Sequence, residues 1–260
     1  MAGPEHMYER IASVLRDKMI MGELGPGDRL PSQDDLVEQF GVSRMAIRQA
    51  MDILENEGLI DRTQRLGAFV RRREPLIRRS ALHYLSSPGA PFAEEALAAG
   101  RIPRYSHNSY PERASIEVAQ RLKISIGDEI LRTDYISYGN DEPMMLVHSY
   151  EPLAITGGTV IERPEDPGPY IAAGIVARFT AIDMRPTLIN EHVRARMPRP
   201  SEKDALQLRP GTPVFVITRT AFAGDIPIET ADIILDSDRY ELDYPIKIEP
   251  ESTLPTTEGP

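Results

Sequence analysis

Residues 31–60 read PSQDDLVEQFGVSRMAIRQAMDILENEGLI. Ser32 has Asp35 three residues later, the spacing of a reciprocal N-terminal cap, so a short helix starts there and runs through Phe40. Gly41 ends it, because glycine accepts the left-handed backbone that a sharp turn requires. Ser43 caps a third helix running to about Glu57. Its apolar face is Ile47, Ala50, Met51 and Leu54, and Gly58 closes it.

Outward from this core the pattern continues on both sides. From Tyr8 to about Gly22, Ile11, Val14, Leu15 and Met19 fall on one helical face, and Gly22, Gly25, Pro26 and Gly27 then break the helix. After Gly58 come Leu59 and Ile60, a polar turn around Gln64–Gly67, and Ala68, Phe69 and Val70, which predict two short strands and a hairpin. Three helices followed by a hairpin is the order of a winged helix-turn-helix. In such a motif the second helix lies in the major groove with its N-terminal residues toward the bases. Those residues are Ser43, Arg44, Met45, Ala46, Arg48 and Gln49. Arg44 and Arg48 are four apart and share a face away from Ile47, Met51 and Leu54. Two guanidinium groups there suit guanine O6 and N7 or flanking phosphates. A salt-bridged solvent face would also place arginines so; the cap, turn and wing around them favour DNA.

The net charge of −10 is unevenly placed. Residues 1–79 hold 13 Lys/Arg and 13 Asp/Glu, so the remainder carries the whole excess. Residues 62–79 hold seven Arg against Glu74 alone, a basic segment suited to phosphate contact or, equally, to a solvated linker. The absence of cysteine excludes disulfides and thiolate chemistry and points to a reducing cytoplasm. The N-terminal MAGPEHMYER has no signal-peptide core, and no apolar run is long enough to span a membrane.

The stretch from Arg71 to about Tyr84 reads as an extended linker, and 86–113 as loop-rich with a short helical piece near Phe92–Ala99. A helix from Ile116 leads through Gly127 to a strand Ile130–Ser137, the turn 139–142 and a strand Met144–Tyr150. The same unit recurs later: Ala205 and Leu206, Gly211, a strand Val214–Phe222, a turn at Gly224 and Asp225, and a strand Ile228–Leu235. Two copies of helix, glycine, strand, turn, strand predict an α+β domain, an antiparallel sheet flanked by helices, with internal symmetry. The expected division is a DNA-binding domain at 1–74, a linker at 75–88, a larger domain at 89–248, and a disordered acidic, Pro/Thr-rich tail at 249–260.

The pieces G-x-L-x-P-G-D-x-L-P-S, F-G-V-S-R-x-x-I-R-x-A and the L-E-N-E-G-L-I that follows make residues 8–70 resemble the DNA-binding domain of the GntR family. The resemblance implies that Ser32 and the start of the third helix contact the operator, that Arg44 and Arg48 read bases, and that wing residue Gly67 approaches the minor groove. It also exposes two departures. Asp34 stands where an arginine contacts DNA in the family, and Arg65 stands where glycine is common; Arg65 could enter a narrow A·T minor groove. An operator unlike the family consensus is therefore expected, read as a pseudo-palindrome by a homodimer.

Residues from about 90 to 245 resemble the UTRA effector domain of HutC-type members, whose fold is similar to chorismate lyase. The carrying pieces are A-x-x-L-x-I-x-x-G-D-E-I-L-R at 119–132, L-x-L-R-P-G-T-P-V at 206–214, Arg219, I-P-I-E at 226–229 and S-D-R-Y at 237–240. The resemblance implies an effector pocket with Arg132, Asp134, Val147, Glu229 and Leu235 as candidate lining. Fewer arginines than phosphosugar-sensing relatives carry, with carboxylate and aliphatic groups instead, point to an apolar or cationic ligand rather than a sugar phosphate. Arg132 and Glu229 could alternatively be a structural ion pair in a domain that only dimerises. A constitutive repressor, a protein-interaction module and a lyase-like enzyme are the rival readings. Against the enzyme, the five histidines have no metal-ligand spacing and no nucleophile elbow, phosphate loop or dinucleotide fingerprint is present, so no cofactor, metal or catalytic residue is expected.

Overall fold

The computed structural model describes residues 7–63, 66–79, 84, 89, 91–163, 173–209 and 211–246. Arg65, most of 80–90 and the tail 249–260 lie outside the described residues. The N-terminal unit comprises α1 (Met7–Ile20), α2 (Gln33–Phe40), α3 (Arg44–Asn56) and a hairpin of β1 (Ile60–Thr63) and β2 (Gly67–Val70). The caps form as their spacing predicts. Ser32 Oγ accepts from the Asp35 amide at 3.2 Å, Asp35 accepts from the Ser32 amide at 3.0 Å, and Ser43 accepts from the Ala46 amide at 3.3 Å. Gly41 takes φ 64°, the left-handed conformation that frees α3 to set off in a new direction. Ile11, Leu15, Leu36, Ile47, Leu54 and Ile60 are fully buried in one core that α3 shares with α1, α2 and the hairpin.

The second unit is built on a six-stranded antiparallel sheet of β4 (Pro103–Arg113), β5 (Glu129–Gly139), β6 (Glu142–Pro152), β7 (Leu188–Arg196), β8 (Val214–Ala223) and β9 (Ile226–Asp236). The strand order is β4-β5-β6-β9-β8-β7. Two hairpins, β5–β6 and β8–β9, therefore meet at the centre, and each carries one further strand on its outer side. This is the internal symmetry expected of the repeated unit. The β5–β6 turn has Asn140 and Asp141 both at positive φ, as a two-residue hairpin turn demands. Helices α4 (Pro91–Ala98) and α7 (Ile175–Thr180) cover one face, while α5 (Ile116–Leu122) and α8 (Pro200–Ala205) lie on the other; α6 (Leu153–Thr156) follows β6.

Three features depart from the sequence reading. β4 falls in a stretch expected to be loop-rich because of its prolines. It is an edge strand, where Pro103 and Pro111 are tolerated because one side of the strand has no partner to bond. β7, the other edge, lacks a clean apolar alternation because it is largely exposed. Within the expected linker, β3 (Leu76–Arg78) pairs in parallel with β10 (Tyr240–Leu242), so this segment docks on the second unit. Leu76 is fully buried there.

The unit junction is ionic. Arg71, with only 5% of its side chain exposed, donates to Asp61 at 3.1 Å and to Asp238 at 2.6 Å, and Arg209 donates to Asp61 at 2.6 Å. The core of α3 is the part of the N-terminal unit on which its geometry rests. Leu54→Ala should cost about 2–5 kcal/mol, seen as a lower urea midpoint for that unit, while the sheet's signal is retained.

Candidate nucleic-acid interface and effector cavity

At the N-terminus of α3, Ser43, Arg44, Met45, Arg48 and Gln49 are exposed and Ala46 is half-buried, while Ile47, Ala50 and Met51 face inward. The helix thus presents a short polar edge backed by a fixed core. The hydroxyls of Ser32 and Ser43 are engaged as caps, so either serine would meet DNA with its remaining lone pair or its backbone. Arg48 makes no side-chain hydrogen bond or ion pair among the described residues. Arg44 is held by Asp34, Nη2 to Oδ1 at 2.6 Å. Gly67 is exposed at the start of β2 with φ 109°, and an added Cβ would lie 3.1 Å from Arg29 Nε. The wing is therefore flanked by a cation, Arg29, that the sequence reading passes over. Its place in G-D-R-L-P-S, just before the Ser32 cap, was the available signal.

The basic segment 62–79 has a different use from the one its charge suggests. Arg62 pairs with Asp52 and Glu55 on α3, Arg71 and Arg73 with Asp238, Arg78 with Glu95 and Glu191, and Arg79 with Asp243. Most of its positive charge is spent inside the protein, because acids distant in sequence face it in the fold.

A cavity of about 130 Å³ opens between the sheet and helices α4 and α7. Antiparallel register builds its floor in rows: Tyr135 beside Val147 beside Ile233, and Ser137 beside Met145. Phe92 and Ile175 close it from the helices. Three arginines reach it, and each meets a carboxylate. Arg219 Nη2 donates to Glu229 Oε1 at 2.6 Å, and Ser149 Oγ donates to the same oxygen at 2.9 Å. Arg178 holds Glu151 with two bonds, 2.7 and 3.0 Å, and donates to the Ile161 carbonyl at 3.1 Å. Arg78, from β3, lies 3.2 Å from Glu191 and 3.5 Å from Glu95. Burial opposes the charge on all three arginines, but the neighbouring acids and phenols more than offset it and hold their pKa above the ordinary value. Burial pushes the Glu95 carboxyl up to about 7, against the pull of Arg78.

Of the five sequence candidates, Val147 and Glu229 line this cavity. Leu235 is fully buried in the core on the same face, beside Met145 and Phe215. Arg132 and Asp134 are on the opposite face. Successive strand residues alternate sides, and the cavity takes Tyr135 and Ser137, one position further along β5. Nor do Arg132 and Glu229 pair. Arg132 Nε donates to Asp134 Oδ1 at 2.8 Å, His148 Nδ1 lies 2.5 Å from the same oxygen, and the Arg132 guanidinium lies over the rings of Tyr110 and Tyr150. Burial opposes charge on Asp134, yet its bonds to His148 and Arg132 hold the carboxyl at about 2. This cluster continues across the face to Asp232, which Arg121 grips with two 3.0 Å bonds. The sequence reading missed Arg78 and Arg178 as cavity residues. Neither stands in a recognisable motif, and only the tertiary fold brings them to the strands.

Truncating Arg48 to alanine should reduce discrimination at one base pair by about 1–3 kcal/mol. Binding to variant operators reads this directly, and an equal loss on every sequence would identify a phosphate contact instead. Glu151→Ala strands the buried Arg178 charge and should cost about 3–5 kcal/mol, visible as a large fall in Tm.

Residues 7–70 match the family described as bacterial regulatory proteins, gntR family, and residues 99–241 match the UTRA domain. The histidine utilization repressor of Pseudomonas aeruginosa is 27% identical over 242 residues, 92% of this chain and 91% of that protein. The HTH-type transcriptional repressor NagR of Bacillus subtilis is 28% identical over 239 residues, 91% of this chain and 93% of that protein. Among solved structures, a GntR-family transcriptional regulator at 36% identity covers 94% of this chain and 99% of its own, with a TM-score of 0.71. PhnF from Mycobacterium smegmatis, at 19% identity, shares the fold with a TM-score of 0.57 over 92% of this chain and 100% of its own. The helix-turn-helix with its exposed polar edge, the symmetric sheet with its cavity, and these matches agree: the chain belongs to the GntR family, as a HutC-type transcriptional regulator that joins a DNA-binding winged helix to a UTRA effector domain.

Proposed function

We propose that the chain is a homodimeric repressor of a pseudo-palindromic operator, and that a compact, largely apolar molecule in the UTRA cavity modulates its operator affinity. The effector reading is carried by one observation: all three cavity arginines are already committed to carboxylates. A phosphate entering the cavity would have to displace Glu229 or Glu151 from its guanidinium, leaving a buried acid without its counter-charge. The walls are chiefly aromatic and aliphatic, with the hydroxyls of Ser137 and Ser149 to orient a ligand. The volume of about 130 Å³ is close to the roughly 150 Å³ of a cavity that accepts one benzene ring. A neutral ligand of about that size fits this chemistry, since Glu229 is already neutralised by Arg219.

Repression is supported by the names of two relatives, a histidine utilization repressor and the HTH-type transcriptional repressor NagR. Two winged helices related by a twofold axis match a pseudo-palindrome in symmetry. On this reading residues 1–74 read DNA, 75–88 connect, and 89–248 hold the effector and the partner subunit. The cavity binds rather than catalyses, and the work takes place in the cytoplasm. Coupling follows from the placement of Arg78: it lies on β3 in the connecting segment and also lines the cavity, so a bound ligand touches the segment that carries the DNA-binding unit.

The operator comes first, by selection from random duplex DNA; a pseudo-palindrome is the expected product, and failure to enrich any sequence counts against the reading. A panel of single-ring and branched aliphatic compounds is then compared with hexose phosphates by thermal shift and operator release. Compact apolar compounds should raise Tm and weaken operator binding tenfold or more. A hexose phosphate bound at micromolar affinity would falsify the effector assignment.

A further inference from the structure

Asp34 is an unexpected charge on a surface built to meet phosphates. It lies in the first turn of α2, 69% exposed, and its carboxylate reaches across the turn to Arg44, the first residue of α3. The Nη2–Oδ1 distance is 2.6 Å, a close ion pair. The Arg44 side chain is 73% exposed, and among the described residues Asp34 is the charged group it meets.

The electrostatics at that point favour the pair from both sides. A helix N-terminus carries partial positive charge, and α3 has no acidic residue in its first turn, so Arg44 stands where a cation is least welcome. Asp34 supplies the missing negative charge from the neighbouring helix. Its own position, in the first turn of α2, is one where an acid is favoured. On an open surface such a pair is worth little. In a major groove from which water has been displaced, the same contact strengthens and removes freedom that Arg44 would otherwise lose on binding.

We propose that Asp34 is a positioning residue for base reading: it grips one nitrogen of the Arg44 guanidinium and aims the remaining N–H groups at a guanine edge. The ion pair touches one nitrogen of the guanidinium, and the other N–H groups suffice for the bidentate contact with guanine O6 and N7. Asp34 also repels phosphate, which lowers binding to DNA of the wrong sequence. The exchange is affinity given up for specificity, achieved by an element that penalises the wrong partner. Among the described residues Arg48 makes no such contact.

The test uses the full chain in parallel selections from random duplex DNA with wild type, Arg44→Ala, Asp34→Ala, Asp34→Asn and the Asp34→Ala/Arg44→Ala double variant. Operators altered at single base pairs are then measured by fluorescence anisotropy. Arg44→Ala should identify one base pair that loses its preference. Asp34→Ala should reduce discrimination at that same base pair about tenfold, raise affinity for unrelated DNA, and leave the Arg48 base pair untouched. Asp34→Asn, which keeps the acceptor and loses the charge, should fall between. With Arg44 already removed, Asp34→Ala should change nothing further at that base pair. Both side chains are exposed, so Tm should fall only slightly, by the loss of one first-turn acid from α2. Unchanged discrimination in Asp34→Ala overturns the proposal. So does an effect that persists without Arg44, since Asp34 would then read a base itself. An Arg44→Ala variant that weakens all sequences equally overturns it too, because Arg44 would be a phosphate contact.

Discussion

The pairing of β6 with β9 is the constraint on which the larger unit depends. No turn joins these strands, and about eighty residues separate them in the chain, so only the fit of their side chains holds the register from Met145 against Leu235 to Tyr150 against Thr230. That register joins the two hairpins into one sheet. It also sorts the side chains between two very different surfaces. One face gathers Val147, Ile233 and Ile217 into the core beneath the cavity. The other gathers Asp134, His148 and Asp232 into a polar row under Arg121. A slip of one residue would carry the acids into the apolar core around the cavity and move Val147 and Ile233 to the face that holds the polar row, which is why the register tolerates no alternative.

Charge is handled in the same way throughout: cations and acids from remote segments neutralise each other before either can meet a ligand. Arg178 and Glu151, Arg219 and Glu229, and Arg78 with its two acids are buried pairs. Such pairs add little net stability compared with apolar substitutes, but they are costly to break and therefore specific. They make the cavity narrow in its chemistry, with hydroxyl groups and apolar walls the most available contacts. At the junction of the two units, Asp61 is shared by Arg71 and Arg209, and Asp238 receives both Arg71 and Arg73. With Arg78 seven residues beyond Arg71, the connecting segment runs from this ionic junction directly into the cavity wall.

The winged helix was legible almost residue by residue, and the reason is that its determinants are local. A capping box needs residues three apart, the turn needs Gly41, and the apolar face of α3 is written at helical spacing. The central hairpins were legible for a similar reason, since each is closed by a short turn. The edge strands β4 and β7 were not, because an edge strand need not alternate cleanly and can carry proline. β3 and β10 are three residues each, too short to leave a periodic mark. At the cavity, Val147 and Glu229 were named from the sequence, whereas Arg132 and Asp134 fall on the far side of the sheet. The strand itself was recognised, but which of its two faces looks at α4 and α7 depends on packing that no local pattern records.

The sequence by itself determined the elements whose stabilising contacts lie within a turn or two of chain: the caps, the turn before α3, the exposed polar edge with Arg44 and Arg48, and the paired hairpins with their repeated order. Tertiary structure decided which charges are available. It turned a basic segment into a set of internal ion pairs, drew Arg78 and Arg178 to the cavity, and set Asp34 against Arg44. Coulombic partners act through space across any length of chain, while propensity and capping act only between near neighbours, and that difference in range separates what could be read from what had to be seen.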